Sequence, residues 1–71
     1  MKRYIVFAGI RGQKQGGWNE ALRDRDSRQV LSFDTLDEAN DTGKGRSQGH
    51  HYDWYHVVDL HTGEIACFGR R

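Results

Sequence analysis

Trp54-Tyr55-His56-Val57-Val58-Asp59-Leu60, His61-Thr62-Gly63 and Glu64-Ile65-Ala66-Cys67-Phe68 form the stretch that decides the fold. Both flanks are rich in β-branched and aromatic residues and have the length of strands rather than of helices. Gly63 stands where a three-residue hairpin loop with a bulge needs a left-handed backbone, which glycine adopts without a Cβ penalty. The stretch therefore reads as an antiparallel hairpin. Alternation along its first strand puts Trp54, His56, Val58 and Leu60 on one face and Tyr55, Val57 and Asp59 on the other.

Upstream lies a helix start. In Thr35-Leu36-Asp37-Glu38 the Thr35 hydroxyl can accept from the free N–H of Glu38, and the Glu38 side chain can reach back to the N–H of Thr35. Asp37 and Glu38 also sit where the helix dipole favours negative charge. Leu36 and Ala39 are expected to face a sheet, with Gly43 on the same stripe allowing close approach. Gly43 and Gly45 each cost ~1 kcal/mol relative to alanine inside a helix. The helix is therefore predicted to weaken beyond Thr42, and residues 43–51 to form a flexible connection.

Two more strands precede the helix. Gln29-Val30-Leu31-Ser32-Phe33 is short and begins polar, which suits an edge. Tyr4-Ile5-Val6-Phe7-Ala8-Gly9-Ile10 is nearly all apolar, which suits a central strand. Residues 11–17 contain no apolar side chain and read as a loop. Trp18, Ala21 and Leu22 have the spacing of one helical turn, although an irregular loop pinned by Trp18 fits as well. The expectation is a single α+β domain over residues 1–71. Its four-stranded antiparallel sheet runs β-β-α-β-β in the order 2-1-3-4, with one helix packed on one face. The other face is left partly open and should carry some of the aromatics.

Composition narrows the function classes. A chain of 71 residues buries only about 60% of the surface its unfolded form exposes, so a deep substrate cavity is hard to build. Its 11 Lys and Arg against 10 Asp and Glu give a formal charge of +1, without the basic excess usual in a dedicated nucleic-acid binder. Cys67 is the only cysteine, so no intrachain disulfide can form. The basic and apolar start at Lys2, Arg3 and Tyr4 to Ile10 stops at Arg11 without a small-residue cleavage site. No stretch approaches the ~20 apolar residues of a membrane span. The expectation is a reducing, cytoplasmic location and no membrane partner.

Catalytic and metal chemistry find no complete set of residues. Gly12 to Gly17 and Gly43-Lys44-Gly45-Arg46-Ser47 both fail the phosphate-loop spacing, which requires G-x-x-x-x-G-K-[ST]. His50, His51, His56 and His61 lack a partner at metal-ligand spacing. Cys67 lies in an apolar strand, where cysteine acts as a small hydrophobe. No cofactor, no metal and no enzymatic activity are expected. The contact residues expected instead are Tyr52, Trp54 and Tyr55, the cations Lys44 and Arg46, and Arg11 and Lys14 in the first loop. Aromatic planes interleaved with cations suit a protein hot spot, and also suit stacking on unpaired bases.

Tyr4-Ile5-Val6-Phe7-Ala8-Gly9, Gly16-Gly17-Trp18, Ser32 to Ala39, Asp53 to Leu60 and Thr62-Gly63-Glu64-Ile65 together resemble small uncharacterised bacterial and phage proteins. That resemblance covers most of the chain and brings no assigned activity. The layout of a strand, a capped helix with Leu36-Asp37-Glu38-Ala39 and a closing hairpin is also similar to small anti-CRISPR proteins. It implies a non-catalytic inhibitor that occupies a surface of a host nucleoprotein effector complex. No functional residue carries over. The near-neutral charge departs from the strongly acidic, DNA-mimicking members. The alternative expectation is a small accessory protein that binds single-stranded nucleic acid.

Overall fold

The computed structural model describes residues 2–10, 20–49 and 52–70. Among them the elements are β1 (Tyr4–Gly9), β2 (Glu20–Ala21), β3 (Ser32–Phe33), α1 (Leu36–Ser47), β4 (Trp54–Asp59) and β5 (Glu64–Arg70). All strand pairings are antiparallel. β1 is central and pairs β4 on one side, and β5 closes the far side of β4. On the other side of β1, β2 and β3 share one lane: Phe7 lies opposite Ala21 and Tyr4 opposite Phe33. The four lanes run in the expected order 2-1-3-4, with α1 against one face.

The second lane departs from the sequence reading. Ala21 is in a strand rather than in a helical turn with Leu22, because the Leu22 N–H donates to the carbonyl of Val6 at 2.8 Å and continues the ladder. Trp18 lies outside the described residues. From residues 29–33, only Ser32–Phe33 is regular strand, and Val30 forms an isolated bridge to Arg23. Between the two halves of the lane, a turn projects outward. The carboxylate of Asp24 accepts from the N–H groups of Asp26 and Ser27, and Arg28 takes a left-handed φ of 60°.

The core forms between the sheet and α1. Val6 and Ala8 of β1, Tyr55 and Val57 of β4, Leu22 and Ala39 make one buried cluster, with Tyr4, Leu31, Phe33, Leu36, Tyr52 and Cys67 packed against it. Thr35 caps α1 as expected, its hydroxyl accepting from the Glu38 N–H at 3.3 Å.

The helix does not weaken at Thr42. It continues through both glycines to Ser47, and the Gln48 N–H closes it onto the carbonyls of Lys44 and Arg46. Packing supplies the reason. A Cβ on Gly43 would lie 2.3 Å from Cδ2 of Tyr55, and one on Gly69 of β5 would lie 2.6 Å from Cε1 of the same ring. The two glycines let the phenol lie flat between helix and sheet, and that buried contact offsets the propensity cost. Nothing lies within 4 Å of a Cβ on Gly45.

The two helical glycines should therefore respond oppositely. Gly45→Ala should gain up to ~1 kcal/mol of stability through propensity. Gly43→Ala makes the same gain but forces a ring that Gly69 prevents from retreating, and overpacking of this kind costs about 1–3 kcal/mol. Urea unfolding of the two variants should place their midpoints on opposite sides of wild type.

The closing hairpin forms with a four-residue loop, 60–63, one residue longer than expected. Gly63 has φ 74°, and its N–H donates to the Asp59 carbonyl at 2.7 Å. The register shifts between Val57 and Val58, leaving Ala66 as the extra residue between Ile65 and Cys67.

Candidate functional site

Strand register places the side chains away from the helix in three rows across β1, β4 and β5. Ile5, Val58 and Ile65 form one row and Phe7, His56 and Phe68 the next. Gly9, Trp54 and Arg70 form the third. In each row the β5 residue is the most exposed. Trp54 and His56 are buried, whereas Ile65 is 41% and Phe68 62% exposed. His56 stacks on Phe7 at 5.3 Å and on Trp54 at 5.5 Å between ring centroids. Its Nδ1 has no hydrogen-bond partner, and burial lowers its pKa from the ordinary value of 6.5. The imidazole is therefore held as a neutral aromatic plate within the sheet face.

Two expected contact residues must be reassigned. Trp54 is buried, and its indole N–H donates to the Ile10 carbonyl at 3.0 Å. Tyr55 is buried on the opposite face, and its hydroxyl donates to Oδ1 of Asn40. Tyr55 fills the core between sheet and helix, whereas Trp54 is buried on the other face, stacked on His56. Tyr52 is half-buried against the core cluster. Arg46 is half-buried, with its guanidinium 3.4 Å from the Arg23 carbonyl, while Lys44 is exposed on α1. Arg11, Lys14, His50 and His51 lie outside the described residues. Among the described residues, Lys44, Arg46, Tyr52, Trp54 and Tyr55 thus do not converge on one exposed patch.

Of the three long strands, β5 is the most exposed. Among the described residues no strand pairs its outer side, so half of its backbone N–H and C=O groups lack a ladder partner. Its middle residues, Ile65-Ala66-Cys67-Phe68-Gly69, carry no charge. The opposite edge differs, being broken into two short strands by the projecting turn. Cys67 points to the helix side, its thiol 3.5 Å from Oδ1 of Asn40, and burial pushes its pKa up, so it is kept protonated. Among the described residues no group of three or more His, Cys, Asp or Glu is gathered as metal ligands would be. No described helix is long and apolar enough to cross a membrane.

One ion pair fixes how β5 is presented. Arg3 donates from Nε and Nη2 to the two carboxylate oxygens of Asp59, at 2.9 and 2.8 Å. Asp59 also accepts from the His61 N–H at 2.9 Å, so it ties the first strand to the hairpin turn. The hydrogen bonds from Arg3 hold the Asp59 carboxyl at about 2, below its ordinary 3.8. A lowered carboxyl pKa contributes stability that is complete above 3.8 and lost as pH falls towards about 2. Asp59→Asn should therefore be less stable than wild type at neutral pH, and the difference should close across that acid window in a pH series of urea midpoints.

Sequence reading did not select Phe68 or Ile65. Strict alternation sets Ile65 and Phe68 on opposite faces; the register shift at Ala66 brings them to one face, and among the described residues no fifth lane covers them. No family model, curated protein or solved structure matches this chain.

Proposed function

We propose that the chain is a non-catalytic binding module that docks a protein partner along β5. The observation that carries this reading is a seven-residue edge strand whose outer side no strand among the described residues pairs, with Phe68 and Ile65 exposed on it. An extended partner segment adds main-chain hydrogen bonds to such an edge, and its alternate side chains meet the apolar residues there. An exposed aromatic flanked by an aliphatic side chain is also the composition of a binding hot spot. The reading as an inhibitor of a host nucleoprotein complex rests on the resemblance described above, and the same edge would serve it. Single-stranded nucleic acid draws less support, because stacking needs open aromatic planes and both Trp54 and Tyr55 lie inside.

Photocrosslinking tests the surface directly. A benzoylphenylalanine at position 68 should capture a protein in lysate of the source cell, and the same probe at Asp41, on the solvent side of α1, should not. Equal capture from both positions, or capture from Asp41 alone, would count against β5 as the docking edge.

A further inference from the structure

Resting on the reading of β5 as a docking edge, we infer that its occupant is a second copy of this chain, paired antiparallel with its own β5 across a twofold axis. The charges on either side of the edge carry this inference. Asn40 lies beside Cys67, and Gly43 lies against the Tyr55 ring opposite Gly69, so α1 runs along β5 in the same direction. Asp37 of the first helical turn therefore accompanies the Glu64 end, and Lys44 of the last turn accompanies the Arg70 end. All four side chains are exposed. On the helix face, Asp37 and Glu64 make one end of the strip acidic and Lys44 makes the other basic, while Arg70 stands at that basic end on the opposite face.

A twofold axis reverses one strip against the other. Each acidic end then meets the basic end of the second copy, which is the pattern that makes an isologous contact self-complementary. A parallel arrangement of the two strips would set like charges together at both ends. The register shift at Ala66 lies towards the Glu64 end, so the regular segment, residues 67–70, forms the centre of the pairing. Phe68 falls close to the axis, and its ring covers that of the second copy on the face away from the helices. The pairing supplies ladder partners for both edges and joins two four-lane sheets into one of eight lanes. It also accounts for an edge whose middle, Ile65 to Gly69, lacks the charged residues by which monomeric proteins discourage such pairing.

Sedimentation velocity from micromolar to millimolar concentration tests the inference on the intact chain. The wild type should pass from monomer to dimer over this range. Glu64→Arg alone, or Lys44→Glu alone, should weaken association about tenfold or more by setting like charges together on the helix face. The double variant carrying both swaps should recover most of it. Phe68→Lys, at an exposed position where folding is not at stake, should stay monomeric. A wild type that remains monomeric throughout overturns self-pairing, while leaving the docking edge to the photocrosslinking test. A dimer indifferent to all three positions also overturns self-pairing through β5, again leaving the docking edge to the photocrosslinking test.

Discussion

Tyr55→Ala is expected to lower stability by about 3–5 kcal/mol, the usual cost of removing a buried aromatic ring. The total stability of a domain this size is roughly 4–11 kcal/mol, so the loss leaves a large unfolded fraction at physiological temperature. The site amplifies the effect. The ring fills the space that Gly43 and Gly69 leave for it, and neither glycine can extend a side chain into the void. The hydroxyl also donates to Asn40, whose Oδ1 receives the Cys67 thiol as well. Tyr55→Phe keeps the ring and loses only the hydroxyl contact, so it should cost about 0.5–1.5 kcal/mol. Thermal or urea unfolding of the two variants separates the packing contribution from the polar one.

The second large effect is a dependence on pH centred on His56. Its folded pKa is lowered by burial, so the unfolded chain takes up a proton at higher pH than the folded one. Stability is therefore complete above the ordinary value of 6.5 and falls as pH drops below it. The slope approaches about 1.4 kcal/mol per pH unit while the folded imidazole remains neutral. The groups facing His56 across the sheet are Phe7 and Phe68, with Trp54 beside it on β4, so no carboxylate among them stabilises the cation. His56→Phe should flatten the urea midpoint between pH 7 and pH 5, whereas the loss due to Asp59 should persist in that variant at lower pH. A wild-type midpoint unchanged over this interval would contradict the description of His56 as a neutral plate.

Much of the fold was legible because the signals were local. Thr35 with Glu38 marked the helix start, Gly63 marked the hairpin turn, and the apolar run of β1 placed it at the centre of the sheet. The misreadings share one physical cause, which is distance along the chain. Gly43 and Gly45 look like helix breakers until the Tyr55 ring, supplied by β4, packs against the first of them. Ala21 looks helical beside Leu22 until β1 offers a ladder. The Arg3–Asp59 pair joins residues 56 positions apart and becomes visible only in the register that sets Tyr4 opposite Asp59. Alternation separated Trp54 from Tyr55 correctly, but it could not show that both sides of β4 are buried at that point. The candidate site was less legible than the fold. It is defined by a missing neighbour, and sequence patterns report what a strand can bury rather than what remains beside it.

Amide hydrogen exchange, read residue by residue at low and high protein concentration, is the most direct measurement of the β5 edge. Outward-pointing amides of Glu64–Arg70 should gain protection as concentration rises, and the projecting turn near Asp24 and the solvent side of α1 should not. Unchanged exchange along β5, with new protection on the turn or the helix instead, would contradict the account.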